Sequence, residues 1–229
     1  MTTYSLLGYQ ETAPDEKEVM YLKDVLRIVS SPRLMCLLVA QSCILGAYYT
    51  FNANNSYVLE VAYGWSSTAS AVVMMCAALL AALGAYVVDK LDGSVQKIVK
   101  LTGGLFAVAG LASMAMALSE MGAWGYVLGS LLQALVMMAA FSFSSALYFT
   151  PLADCAGIAA ACEVFMQDVP PSAMSAAGTA ALVQQGPKAL MMLQAALCVL
   201  GGLVVWLALG GADAEAREAL KEDAQAALK

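Results

Sequence analysis

Apolar stretches recur along this chain at near-regular spacing, with short polar connectors between them. Each stretch is long enough to cross a hydrocarbon core, which takes about 20 helical residues at 1.5 Å per residue. The pattern predicts six transmembrane helices at residues 33–57, 66–88, 99–119, 124–148, 152–183 and 188–210.

The segments that flank these stretches are polar. In the second half of residues 1–32, apolar side chains recur at helical spacing among basic ones, at Val19, Leu22, Leu26 and Val29. This spacing predicts an amphipathic helix on the membrane surface. Ser31 and Pro32 suit the N-cap and first position of the first span. Residues 211–229 are alanine-rich and charged, which predicts a short cytoplasmic tail helix.

The fifth stretch, residues 152–187, is the least hydrophobic. Its polar and helix-breaking residues are Asp154, Glu163, Asp168, Pro170 and Pro171. A single long helix, kinked at the prolines, is our prediction, because neighbouring helices can satisfy the backbone groups that proline frees. A loop to about residue 170, followed by a short span, is the alternative.

Composition supports the membrane interpretation. The chain has 229 residues, of which 61% are hydrophobic and 12% charged, and its mean hydropathy is +0.74. Soluble domains carry about 25% charged residues, and a chain of this length cannot bury so much apolar surface internally. We therefore predict an all-α integral membrane protein with the lipid bilayer as its surroundings.

The basic residues are distributed asymmetrically. With six spans, ten of the eleven lysines and arginines fall on the side of the N-terminus, and only Lys188 falls opposite. The positive-inside rule then predicts that both termini are cytoplasmic, and we expect the plasma (inner) membrane. The net charge of −6 comes mostly from the two ends, so it says little about partners. We expect no nucleic-acid partner.

The chain contains no histidine. Serine–histidine–aspartate triads, HExxH zinc sites and histidine-ligated haem are therefore excluded. The six cysteines form no CxxC pair and lie mostly in apolar stretches, which favours packing thiols over disulfides or metal ligands. We expect no enzymatic activity, cofactor or metal. An intramembrane enzyme with a serine–lysine or two-carboxylate mechanism is the disfavoured alternative.

Glu163 is the main ionisable residue within a predicted span, and such residues are functional candidates because burying them is costly. A helix that enters near Pro151 would place Glu163 roughly 18 Å deep, close to the middle of the bilayer, with Gln167 one turn further on the same face. The carboxyl group could carry a proton or meet a cationic substrate. It could equally be an interhelical hydrogen-bond partner or an interfacial residue. Asp154 is expected at the interface, and Asp168 fits a loop as well as a span.

A second polar group ends the first span. Asn52 and Asn55 share a helical face, and Tyr48 lies one turn before Asn52. This face could line an aqueous cavity and bind a solute, or its asparagines could cap the helix or join helices. The paired glycines at 103–104 and 201–202 are expected to serve close helix packing.

Two aromatic and small-polar runs echo each other, at residues 51–57 and 141–148, which lie 90 residues apart. They fall at similar depth on helices of opposite direction, as a three-plus-three inverted repeat would produce. Chance is the alternative.

Several motifs resemble the major facilitator superfamily, and within it the drug/proton antiporters of the bicyclomycin and chloramphenicol resistance type. Residues 57–67, YVLEVAYGWSS, resemble that branch's seventh-to-eighth helix region, and residues 156–167, AGIAAACEVFMQ, resemble its eleventh helix. The connector after the second span resembles the superfamily's cytoplasmic GxxxDRxGRR loop at Gly84, Asp89, Lys90 and Gly93.

The resemblance spans about residues 17–210 and implies the carboxy-terminal six-helix half of such a transporter. It implies secondary-active transport of a small solute or drug-like molecule, with a homodimer or a second six-helix half as partner. Glu163 departs from the small or apolar residue expected there and is the candidate for proton coupling. The side chains expected along the substrate path are Tyr48, Asn52, Asn55, Glu163 and Gln167. The alternative is a transporter-derived structural subunit, or a truncated gene product, that moves no solute.

Overall fold

The computed structural model describes residues 22–91 and 94–226, and within them all regular structure is helical. The α-helices of this part of the chain are α1 (Leu22–Ser30), α2 (Pro32–Ser56), α3 (Ser67–Asp89), α4 (Val95–Leu118), α5 (Ala123–Phe149), α6 (Ala156–Gln185) and α7 (Pro187–Ala226). A π-helical turn, Tyr57–Ala62, extends α2, and a 3-10 turn, Thr150–Cys155, joins α5 to α6. All six cysteines are free thiols.

Five helical stretches of the described chain are long and apolar enough to cross a membrane. They are Pro32–Ala62, Ser67–Asp89, Val95–Leu118, Ala123–Gln185 and Pro187–Leu207. The fourth has 63 residues and leaves helical geometry at Leu152, where φ is −119° and ψ is 21°. Because about 20 residues suffice for one crossing, this stretch contains two, α5 and α6. The chain is a multi-pass, all-α membrane protein.

Helices α2 and α6 run in the same direction. The Ser42 hydroxyl donates a hydrogen bond to the Met166 carbonyl. Further along both helices, the Thr179 hydroxyl donates to the Asn54 side-chain oxygen over 3.0 Å. Residue numbers therefore rise together along the two helices, as they must for the first and fifth of six alternating spans.

Helices α2 and α5 run in opposite directions. The Phe51 and Tyr126 rings lie with centroids 6.0 Å apart, while Ile44 and Met137 line one cavity. Since α2 and α6 are parallel, α5 and α6 are antiparallel, and the chain reverses direction at Thr150–Cys155.

The weakly hydrophobic fifth stretch is one helix. Helix α6 continues through Pro170 and Pro171 without interruption, which confirms a single helix and rules out a loop to residue 170. It begins at Ala156 rather than at 152, because Thr150–Cys155 forms the turn.

Helix α2 is the centre of the bundle. It packs against α5, α6 and α7, while α4 packs against α5 and α7, α3 packs mainly against α5, and α6 also meets α7. In the most apolar 18-residue window of each helix, the buried share is 67% in α2 and 28% in α3. The exposed side chains of α3 therefore belong to the outer surface of the bundle.

Glycines allow the closest helix contacts. A methyl group at Gly202 would overlap the Gly103 carbonyl oxygen, where α4 crosses α7. A methyl group at Gly84 would overlap the Leu135 carbonyl oxygen, where α3 crosses α5. The packing role predicted for the glycines at 103–104 and 201–202 is thus confirmed for Gly103 and Gly202. Gly84, assigned by resemblance to a cytoplasmic loop, lies inside α3.

The two ends of the bundle differ from the expected boundaries in one respect. At the start, Ser31 caps α2 by accepting a hydrogen bond from the Leu34 amide over 3.4 Å, and Pro32 takes the first position, as predicted. Helix α1 buries Ile28 and exposes Leu22, Leu26 and Val29; its place at a membrane surface stays a prediction, and Val19 lies outside the described residues. At the other end, α7 continues to Ala226 with no break before a tail helix, because alanine-rich sequence propagates a helix well.

Candidate functional site

Helix α6 carries a polar face that its neighbours leave largely uncovered. Asp168, Ser172, Ser175 and Thr179 recur at helical spacing; Ser175 is half-buried and the others are exposed. By contrast, the exposed face of α3 beyond its first turn is apolar, with Val72, Met75, Leu79 and Leu83. A polar face is costly against lipid, so this face of α6 requires a protein partner or water.

The polar face of α6 lies beside α2. The Tyr49 hydroxyl donates to Asp168 Oδ1 over 3.3 Å, and the Ser175 hydroxyl donates to the Tyr49 carbonyl over 3.3 Å. Asp168 is twelve residues past Ala156, or about 18 Å along the helix axis. Asp168 therefore lies at mid-span, and the loop placement considered for it is wrong.

Glu163 lies closer to the end of its helix than the sequence suggests. Only seven residues separate it from Ala156, or about 10 Å, because α6 starts five residues later than an entry at Pro151. Its side chain is 7% exposed, and Oε1 has no hydrogen-bond partner among the described residues. Asp168 occupies the depth predicted for Glu163.

Two further buried polar residues, Gln41 on α2 and Ser144 on α5, lack partners. Both side chains are fully buried. Within residues 22–91 and 94–226, no hydrogen-bond partner lies near the amide nitrogen or oxygen of Gln41 or the hydroxyl of Ser144. Buried polar atoms without partners are rare and mark strain, function or a bound solvent or ligand atom. Neither residue can be predicted as a site residue from the sequence, because a single glutamine or serine in an apolar run shows no spacing.

Helix register places these residues at about the level of Glu163 along the bundle. Ser42, beside Gln41, bonds to the Met166 carbonyl, one turn from Glu163. Tyr148, one turn from Ser144, donates to the Ala159 carbonyl over 3.1 Å, one turn before Glu163. We call Gln41, Ser144 and Glu163 the buried polar cluster, three buried polar side chains at about the same level of α2, α5 and α6.

The asparagines at the other end of α2 join helices. Asn54 donates to the Thr50 carbonyl over 2.9 Å and accepts from Thr179 on α6. Asn55 donates to the carbonyl and hydroxyl oxygens of Ser70 on α3, over 3.2 and 3.0 Å. Its own Oδ1 has no partner in the described part of the chain. Asn54, which was not predicted as a site residue, is thus more fully engaged than Asn55.

The remaining predicted path residues are half-buried. Asn52 and Gln167 are partly exposed. Tyr48 lines a cavity of about 10 Å³, the size of one water molecule, together with Ser130 and Gln133. The predicted path residues are spread along α2 and α6, and their place on one substrate path stays a prediction. Asn55 lies fourteen residues beyond Gln41 on α2, or about 21 Å away along the axis.

The connector after α3 holds the loop-motif residues. Asp89 is the last residue of α3 and Lys90 follows it, with its Nζ 5.3 Å from the Tyr86 ring centroid. Gly93 lies outside the described residues. Nothing in these contacts tests the resemblance to the GxxxDRxGRR loop.

An ion pair links α1 to the turn between α5 and α6. Arg27 Nη1 donates to Asp154 Oδ2 over 2.6 Å, and Nη2 donates to the Pro151 carbonyl over 3.3 Å. The hydrogen bond to Arg27 lowers the pKa of Asp154, and the same bond raises the pKa of Arg27. Both side chains are exposed, so the pair orients α1 more than it stabilises the fold.

No family model, curated protein or solved structure matches this chain. Within the described residues, no group of three or more cysteine, aspartate or glutamate side chains could hold a metal ion.

Proposed function

We propose that this chain is one six-helix bundle of a secondary-active transporter of the major facilitator type, which moves a small solute or drug-like molecule. A second bundle, from another copy of the chain or from a partner half, would complete the path. The observation that carries the proposal is the polar face of α6, with Asp168 uncovered at mid-span. Alternating access requires such a face between two bundles, at the depth of the bilayer midplane.

The pattern of helix packing supports a three-plus-three repeat. In such a repeat, α2 exchanges with α5, α3 with α6, and α4 with α7. The α2–α7 contact then becomes the α4–α5 contact, and the α2–α6 contact becomes the α3–α5 contact. The exchange leaves the α4–α7 and α2–α5 contacts unchanged, and all of these contacts are present. Three smaller contacts are exceptions: those of α6 with α7, α2 with α3 and α5 with α7 have counterparts (α3–α4, α5–α6 and α2–α4) that are not among the packed pairs. Internal repeats of this kind are common in transporters.

Asp168 favours a solute with positive charge. Its carboxylate is exposed on the polar face and is oriented by the Tyr49 hydroxyl. A cationic group there would replace part of its hydration with a carboxylate contact and the hydroxyl oxygen of Ser172, one turn further along α6.

The buried polar cluster suits proton coupling. Glu163 offers an unpartnered carboxyl oxygen, and the Gln41 amide offers a donor and an acceptor. A protonated carboxyl group can donate a hydrogen bond that a carboxylate cannot, so gain or loss of a proton at Glu163 would change the bonds it can form inside the bundle. Membrane transporters use acidic residues in this way as proton relays.

A structural subunit is the second candidate. Asn54 with Thr179 and Asn55 with Ser70 bond across helices, so several polar side chains of the bundle serve packing. In that case the polar face of α6 would bind a partner protein and line no solute path.

Transport by the full chain in proteoliposomes tests the proposal. A fluorescent, cationic, drug-like dye is the probe, and an imposed proton gradient is the driving force. We expect gradient-driven dye movement, loss of that movement but retention of dye exchange in Glu163→Gln, and loss of both in Asp168→Asn.

Glu60→Gln is the matched control. Glu60 accepts a hydrogen bond from Ser67 over 2.7 Å in the connector before α3, away from both sites, and we expect normal transport. Absence of dye movement from an intact native assembly would favour the structural subunit. Unchanged coupling in Glu163→Gln would remove Glu163 from the mechanism.

A further inference from the structure

The packing of the bundle leaves a gap between α3 and α4. These helices are consecutive in the chain, yet they are not among its packed pairs, and each rests separately on α5. By the helix exchange described above, α3 and α4 correspond to α6 and α7, which do touch. The fold therefore has an open groove between α3 and α4, whereas the corresponding helices α6 and α7 are in contact.

This α3–α4 groove is apolar throughout its described lining. Leu83 and Val87 form one wall, Leu105 and Val108 the other, and Leu132 and Leu135 the floor. The volume of the groove is about 430 Å³, which is within the range of pockets that bind small molecules. Water has no partner in such a groove, so an apolar occupant is favoured.

Lysines lie on the helix faces that lead into the groove. Lys90 follows Leu83 and Val87 at spacings of seven and three residues, and Lys97 precedes Leu105 by eight. Seven residues are about two helical turns, and Lys97 also precedes Val108 by eleven residues, which is about three turns. Each lysine therefore continues one wall of the groove towards the membrane surface. Both side chains are exposed.

The local charge is weakly positive. Residues 89–100 contain three lysines and two aspartates. Asp89, which neighbours Lys90, lies about 100° away around the helix. An anionic group above the groove would therefore meet more positive than negative charge.

We propose that the α3–α4 groove binds an acyl chain of an anionic phospholipid, with Lys90 and Lys97 holding its headgroup. Two observations favour a lipid over a helix from a partner protein. The groove opens on the lipid-facing surface, where Leu83, Val87 and Val108 are each at least half exposed. Its charged end lies at the level of the α3–α4 connector, where headgroups of that leaflet lie.

Native mass spectrometry of the full chain tests the proposal. The protein is released from nanodiscs that contain equal amounts of phosphatidylglycerol and phosphatidylcholine, and retained lipids are counted. We expect one phosphatidylglycerol per chain to be retained at least tenfold in excess over phosphatidylcholine. Equal retention of the two lipids would overturn the headgroup assignment.

Variants that fill the groove locate the lipid. Val108→Trp and Leu83→Trp fill it from opposite walls and should each reduce the retained lipid at least tenfold. Leu118→Trp and Val72→Trp place the same side chain at exposed positions outside the groove, and they should retain it. Full retention in both groove-filling variants would overturn the site. A dimer of the wild type that dissociates in these variants would show that a second copy occupies the groove instead.

Substitution of the lysines tests the headgroup without altering the groove. Lys97→Gln should lower the preference for phosphatidylglycerol about fivefold, since a basic residue near an anionic membrane surface contributes about that factor. Lys188→Gln removes one charge at the opposite end of the bundle and should leave the preference unchanged. An unchanged preference in the Lys90→Gln/Lys97→Gln double variant would contradict the proposal.

Discussion

Pro170 leaves a carbonyl group of α6 without its usual partner, and Ser42 supplies a replacement. Proline has no amide hydrogen, so the carbonyl four residues earlier, that of Met166, loses its helical donor. The Ser42 hydroxyl donates to this carbonyl from α2. Ser42 of α2 thus replaces the backbone hydrogen bond that Pro170 removes from α6.

This compensation predicts coupling between the two residues. Ser42→Ala should lower the free energy of unfolding in mixed micelles by about 1 kcal/mol, the scale of hydrogen bonds between membrane helices. In a Pro170→Ala background the cost should be smaller, because residue 170 then donates to Met166 itself. Thr102→Val is the control, since among the described residues the Thr102 hydroxyl bonds within α4 alone, to Ile98 and Val99. Equal costs of Ser42→Ala in both backgrounds would contradict the prediction.

Gln41 and Asn54 should respond oppositely to replacement by leucine. Gln41 has two unpartnered buried amide atoms, so Gln41→Leu should leave the free energy of unfolding unchanged or raise it by about 1 kcal/mol. Asn54 bonds through both amide atoms, and Asn54→Leu should lower it by about 1–3 kcal/mol. Denaturant titration in mixed micelles measures both. A large loss of stability in Gln41→Leu would mean that Gln41 has a structural partner, such as bound water.

Single polar residues in apolar stretches differ in how well their roles can be predicted from the sequence. Glu163 was singled out because a carboxyl group within an apolar stretch is conspicuous in any sequence. Gln41 and Ser144 are single polar residues in apolar stretches, and only the packing of the helices determines that both are fully buried. Asn52 was favoured over Asn54 because it shares a face with Tyr48 and Asn55, but periodicity does not tell which face meets α6.

At the scale of elements, the close contact between α3 and α5 requires a residue without a side chain at position 84. Gly84→Ala should destabilise the protein by about 1–3 kcal/mol, because its methyl group would overlap the Leu135 carbonyl oxygen and force the helices apart. Gly104→Ala is the matched control, since its methyl group would lie 3.4 Å from the nearest atom, Trp206 Nε1. Thermal unfolding in detergent measures both variants. Equal unfolding temperatures would contradict the close approach seen at Gly84.

The spans themselves were largely predictable, and their junctions were not. The predicted 66–88 matches Ser67–Asp89 closely, because hydrophobicity falls sharply at both ends of that helix. The turn Thr150–Cys155 contains apolar residues and Pro151, so hydropathy alone does not separate it from a span. The depth error for Glu163 follows directly from this turn.

At the scale of the whole molecule, the uncovered polar face of α6 predicts assembly. Ser172→Trp should disrupt association with a second bundle, because a large ring there prevents close approach. Leu79→Trp places the same ring on the lipid-facing side of α3, where Leu79 is 62% exposed, and it should leave assembly intact. Native mass spectrometry in mild detergent measures the assembled fraction, which we expect to fall at least tenfold in Ser172→Trp only. Dissociation in Leu79→Trp alone would place the interface on α3.

The bonds between α2 and α6 also have a consequence for biosynthesis. Asp168 would oppose insertion of an isolated α6 by about 2.5–3.5 kcal/mol at the centre of a bilayer, and Glu163, nearer the start of the helix, would add to that cost. Helix α2 leaves the ribosome more than a hundred residues before α6, so its Ser42 and Tyr49 are already in place when α6 reaches the translocon. The first span thus serves as an acceptor for the fifth, and damage to these two side chains should appear as failed membrane integration before any fault in transport could arise.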